Sequence, residues 1–118
     1  MTTTASELRT AGNKLRALAR AAADDSGSTG WNASRHFPDQ PDATFTSLWA
    51  TGIKSLLRGG GRVPPYVAAP VGDYIAEVDP ALGLLLADWL DSAAEDAEQI
   101  GPDRHALAVA RQINDHAA

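Results

Sequence analysis

An all-α fold, a compact bundle of four to five helices with an irregular Pro/Gly-rich middle, is what this sequence predicts, as a single helical domain over residues 1–118. Apolar residues recur at helical spacing in long stretches near both ends of the chain. Capping residues stand just ahead of those stretches, and glycine and proline cluster between them, where they end one element before the next begins. The proportions, 44% hydrophobic and 21% charged, are those of a chain that folds around one core.

The first predicted helix covers residues 4–25. Thr4 and Glu7 have the spacing of a capping box, and Leu8, Ala11, Leu15, Leu18 and Ala22 form a narrow stripe behind them. Residues 26–30 read as a turn, and residues 31–41, with two prolines and little periodicity, as an irregular loop packed by Trp31 and Phe37. Asp42 is placed to cap a second helix over residues 43–58, with Phe45, Leu48, Trp49, Ile53, Leu56 and Leu57 on one side and Gly59, Gly60 and Gly61 ending it. Pro64 and Pro65 make residues 62–69 a surface connector. Pro70 opens a short third helix holding Val71, Tyr74, Ile75 and Val78.

Asp79 and Pro80 are a cap and first-turn pair, since proline lacks only an N–H that the first turn leaves unbonded anyway. They start a fourth helix reaching Ile100. Its face of Leu82, Leu85, Leu86, Trp89, Ala93, Ala97 and Ile100 is the strongest amphipathic pattern and the expected centre of the core. After Gly101 and Pro102, a last helix over residues 103–114 buries Leu107, Ala110 and Ile113, with Val109 at the margin. The first, fourth and fifth helices are expected to form the core and the second to cover one side.

Several chemistries are set aside by the residues themselves. The absence of cysteine excludes disulfides, thiol catalysis and thiolate metal sites. The most apolar run, residues 81–87, is broken by Asp88 and falls far short of the ~20 residues a membrane helix needs. Residues 1–8 lack the basic and apolar regions of a secretory signal, so the expected location is cytoplasmic and no membrane partner is expected. Of His36, His105 and His116, the last two are separated by ~16 Å along a helix and cannot share an ion. Arg58-Gly59-Gly60-Gly61-Arg62 offers amides and two guanidinium groups to a phosphate, but Val63-Pro64-Pro65 follows where a Walker loop has its Lys-Ser or Lys-Thr pair. Asp88 and Asp91 are expected opposite the apolar face of their helix, in water, a setting that does not suit acid and base work. No catalytic, cofactor-binding or metal-ligating residue is therefore expected.

Charge is the more specific feature. The net −5 divides into +3 over residues 1–62 and −8 over residues 63–118. On the first helix Arg9, Asn13, Arg16 and Arg20 recur at spacings that share a face; on the fourth, Asp88, Asp91, Glu95 and Glu98 do the same. With both helices turning their apolar sides to one core, both rows should look outward, poorly placed to neutralise each other. Arg9, Arg16, Arg20, Asp88, Asp91, Glu95 and Glu98 thus become candidate partner-binding residues, beside the aromatic loop residues Trp31, Phe37 and Tyr66. Two other readings exist: two solvated faces conferring solubility, or an acidic helix imitating successive phosphates.

The strings PALGLLLADWLD at residues 80–91 and HALAVAR at residues 105–111, with Tyr74-Ile75-Ala76, Leu8-Arg9, Leu15-Arg16 and Gly30-Trp31, resemble a loose group of small helical proteins of actinobacteria and their phages. The resemblance implies a phage, prophage or other mobile element as source, and carries no activity or catalytic residue with it. The expectation is a non-catalytic protein-interaction module, an accessory protein that binds another protein or itself. The rival is a nucleic-acid-associated regulator using Arg9, Arg16, Arg20, Lys54, Arg58 and Arg62 against phosphates.

Overall fold

A computed structural model describes residues 3–35, 44–50, 54–59 and 65–116. The elements are α1 (Thr4–Ser26), β1 (Trp31–Arg35), β2 (Phe45–Ala50), β3 (Val67–Ala68), α2 (Ala69–Glu77), α3 (Pro80–Gln99) and α4 (Arg104–Asp115). The protein is mostly helical but not all-α, because it also carries a three-stranded antiparallel sheet of order β1-β2-β3. Two compact units divide the chain, one of Met1–Arg20 with Gly83–Ala118 and the other of Ala21–Leu82.

In the first unit α1, α3 and α4 enclose a core of Leu8, Ala11, Leu90, Ala93, Ala94, Ala106 and Ala110, with Ala97, Val109 and Ile113 packed against it. The expected three core helices are therefore the ones that form it. Its character differs from the expectation: most of the buried side chains are alanines, so the helix backbones approach closely. Gly12 is the tightest point, where a Cβ would stand 2.9 Å from Asp91 Oδ1 and 3.2 Å from the Ala87 carbonyl. Gly83 packs on Ala19 in the same seam.

That close approach selects which face of α3 is buried. Ala87, Leu90 and Ala94 are fully enclosed, whereas Leu85 is 66% and Trp89 41% exposed, and Leu82 and Ile100 are exposed too. Of the expected core face, Leu82, Leu85, Trp89 and Ile100 are thus outside the core, Leu86 is half-buried, and Ala93 and Ala97 are where they were expected. Two apolar stripes run along this helix about 100° apart, and the small-residue one wins because it matches Gly12 and the alanines of α1. Leu18 of α1, placed in the sequence stripe, is likewise exposed.

Helix ends follow local chemistry. Thr3, one residue before the expected Thr4, caps α1: its Oγ1 accepts from Ser6 N–H at 3.0 Å. Glu7 is not the reciprocal half of a capping box; its carboxylate meets Arg111 of α4 at 3.3 Å. Asp103 accepts from Ala106 N–H and caps α4. The far end of α4 is held by Lys14, whose Nζ donates to the Ile113 and His116 carbonyls at 2.8 Å, a cation where the helix dipole favours one. Gly27 (φ 81°) and Gly101 (φ 100°) terminate α1 and α3 in the left-handed region.

The second unit holds the sheet, with α2 packed over β1 and β2. Here the expected helix over residues 43–58 is replaced by β2 and by a bridge between Trp49 and Ser55. The apolar spacing suits a helix, but Thr44, Thr46 and Ser47 do not, since branched and hydroxylated side chains favour extended backbone. Thr46, Leu48 and Ala50, alternate residues, are all buried. The expected irregular loop begins instead as β1, paired from Trp31↔Ala50 to Arg35↔Thr46. Phe37, His36 and the rest of residues 36–43 lie outside the described residues, as do residues 51–53 and 60–64 with Ile53 and Arg62. Gly72 lets α2 sit on the sheet: a methyl there would run into the Thr46 side chain and stand 3.0 Å from Val67 Cγ2.

The three close-approach glycines should rank by what a methyl meets. Gly83→Ala gains helix propensity of about 1 kcal/mol and presses only on Ala19, so thermal melts should move little. Gly12→Ala must displace the Asp91 carboxylate and lower the midpoint. Gly72→Ala should lose most, about 1–3 kcal/mol of overpacking, because β-branched Thr46 has no free rotamer to yield. A Gly72→Ala protein as stable as the parent would contradict this packing.

Candidate functional site

The two charge rows come together within the first unit. Arg9 Nη1 donates to Glu98 Oε1 at 2.6 Å, and Arg16 Nη2 to Asp91 Oδ2 at 2.6 Å and Asp88 Oδ1 at 3.2 Å. α1 and α3 run antiparallel and in close contact, so residues flanking the small-residue stripe of one reach those flanking the stripe of the other. The expectation that the rows are poorly placed to neutralise each other is therefore corrected. Only Arg20 and Glu95 of that set keep exposed side chains without a hydrogen-bonded partner on the facing helix among the described residues. Electrostatics agree with the geometry. The hydrogen bond from Arg9, then its charge, holds Glu98 below the usual carboxylate range, and the same bond raises Arg9. Arg16 is raised by its hydrogen bonds to Asp91 and then Asp88.

The cationic set of the nucleic-acid reading divides between the two units, with Arg9, Arg16 and Arg20 in the first and Lys54 and Arg58 in the second. Arg9 and Arg16 are taken up as above, Lys54 Nζ donates to the Asp25 carbonyl, Arg58 is exposed, and Arg62 lies outside the described residues. No group of three His, Asp or Glu residues gathers in metal-binding geometry among the described residues. No helix among them is long and apolar enough to cross a membrane.

Concave surface is found in the sheet unit, on either side of Trp31. This residue is half-buried, and its indole Nε1–H donates to Ser26 Oγ at 3.1 Å. One hollow, of about 290 Å³, is lined by Ala22, Leu48, Leu56, Leu57 and Ile75 beside Trp31 and is mostly apolar. The other, of about 450 Å³, runs along β1 (Trp31, Asn32, Ala33) under α2 and is walled by Asp73, Glu77 and Asp79. Trp31, a candidate partner-binding residue in the sequence, lines both hollows. Tyr66 is 55% exposed and stacks edge-on against Phe45 at 4.9 Å, away from both hollows.

Asp79 builds this region. Its Oδ1 accepts from Leu82 N–H at 3.0 Å, capping α3 as the Asp-Pro pair predicts, while its Oδ2 accepts from Trp31 N–H at 3.3 Å and so pins the start of β1. Arg35, at the other end of the strand, donates to Asp73 of α2 at 3.0 Å. Sequence reasoning passed over Asp73 and Glu77. Their spacing of four on a short helix was a visible signal, but it acquires meaning only once β1 is known to lie below them.

The lowered Glu98 pKa has a sign that can be worked out. A carboxyl depressed in the folded state contributes stability that is present above its unfolded pKa and is lost as pH falls through the folded value. Carbon-detected titration should give Glu98 a midpoint below the ordinary glutamate value of about 4.3, returning to it in Arg9→Gln. An ordinary midpoint in the parent protein would mean that the Arg9–Glu98 pair does not persist in solution. No family model matches this chain, and no curated protein or solved structure is significantly similar to it.

Proposed function

We propose that this chain is a non-catalytic protein-interaction module whose contact surface is the sheet unit around Trp31. The observation that carries the reading is the open groove along the outer strand β1, lined by Trp31, Asn32 and Ala33 and by Asp73, Ala76 and Glu77 of α2. An exposed strand edge is a template for another chain, and proteins that do not use such edges usually block them with proline, bulges or inward-pointing charge. β1 has no proline and its middle residue is Ala33. The charge rows of α1 and α3 drop out of the reading, since Arg9 and Arg16 are taken up by Glu98, Asp91 and Asp88. An accessory role in a phage, prophage or other mobile element in the cytoplasm is supported by the resemblance of residues 80–91 and 105–111 to such proteins.

A nucleic-acid-associated regulator remains the second reading only in so far as Arg20 and Arg58 are exposed. Retention on DNA at low salt that falls steeply as salt rises would favour it. For the module, the full chain immobilised as bait should retain a protein from an extract of cells that express it, and Glu77→Lys should abolish that retention while leaving the melting temperature unchanged. A partner kept equally by parent and Glu77→Lys proteins would move the contact surface elsewhere.

A further inference from the structure

β1 is the outer strand of the sheet, and its antiparallel ladder with β2 turns alternate backbone groups away from that partner. Parity identifies them. Ala50 N–H is bonded to the Lys54 carbonyl and the Leu48 carbonyl to Leu56 N–H, both at 2.9 Å, so the even positions of β2 face away from β1. Their opposites, Trp31 and Ala33, face away from β2 in turn. Trp31 N–H is closed by Asp79. The Trp31 carbonyl and the N–H and carbonyl of Ala33 point away from β2 on two residues that line the groove, without a hydrogen-bond partner among the described residues.

The wall beside them specifies an occupant. α2 runs antiparallel to β1, since Arg35 meets Asp73 while Trp31 meets Asp79. Asp73 and Glu77 therefore stand along the groove, ~6 Å apart at 1.5 Å of rise per residue. An added strand would present alternate side chains to α2 at ~6.8 Å, two residues of rise, close to the same spacing. Among the described charged residues beside the groove, Asp73, Glu77 and Asp79 are negative, and Arg35 is a cation paired with Asp73.

We infer that the β1 edge takes an extended protein segment carrying Lys or Arg at alternate positions, its main chain pairing with Trp31 and Ala33 and its cations facing Glu77 and Asp73. The inference rests on the protein-interaction reading and adds to it the conformation and charge of the partner. Neutralisation of the acidic wall gives orientation and selects against acidic segments, while the backbone bonds give the pairing itself.

The test uses the full chain and a blocked peptide in which lysine alternates with valine. Its controls are a glutamate-for-lysine twin and an isomer with the lysines in one block. Amide NMR should show Ala33 N–H shifted and protected from exchange by the alternating peptide, with the block isomer weaker and the twin silent. The double variant Asp73→Asn with Glu77→Gln should weaken binding about tenfold while leaving the amides of α1, α3 and α4 in place. An unmoved Ala33 amide, or equal binding of the glutamate twin, overturns the inference. Should the peptide fail while Glu77→Lys still abolishes retention of a native partner, the interaction reading stands and this inference alone falls; failure of both removes both.

Discussion

The contact of α1 with α3 at Gly12 constrains most of what the first unit becomes. With no side chain there, the α3 backbone comes near enough that the Ala87 carbonyl would lie 3.2 Å from a methyl, and the seam on either side is filled by alanines. Dispersion across so close a contact is gained by many small groups in place of a few large ones. Once that face is chosen, the rotation of α3 is set. Leu85 and Trp89 turn to the surface, and Asp88, Asp91 and Glu98 come level with Arg16 and Arg9. Packing and electrostatics are thus two results of one helix rotation.

In the second unit the equivalent constraint is β2, the middle strand. It is buried along Thr46, Leu48 and Ala50 and has hydrogen-bonded neighbours on both sides, β1 on one and β3 with residues 54–56 on the other. Gly72 allows α2 to settle on Thr46. Asp79 then joins the end of that layer to the start of the next helix, since a single carboxylate accepts from both Trp31 and Leu82. A side chain that caps a helix and anchors an edge strand ties two local structures to one position, so that the groove along β1 inherits its shape from the helix start.

The proposed function turns on which polar groups are satisfied and which are not. Of the rows of charge that dominate the sequence, Arg9, Arg16, Asp88, Asp91 and Glu98 find partners within their own unit. Beside the groove, less conspicuous groups stay open among the described residues: the carbonyl of Trp31, the two backbone groups of Ala33 and the carboxylate of Glu77. None of these is a signal in composition, because backbone groups belong to every residue and become informative only at the edge of a sheet.

Local chemistry by itself determined the helices and their ends. The apolar periodicity of residues 4–25, 79–100 and 103–114, the Asp79-Pro80 start, the Pro70 start and the glycine stops all act within a turn or two of the chain, where sequence neighbours are also spatial neighbours. Three things were decided only by tertiary structure. Residues 45–50 carry an apolar pattern compatible with helix or strand, and the partners β1 and β3 settled it. α3 offers two apolar stripes, and the glycine and alanines of α1 chose between them. Arg9 and Arg16 have no carboxylate within a turn of their own helix that could take them up as Glu98 and Asp91 do, so their pairing awaited the antiparallel approach of a segment more than seventy residues away.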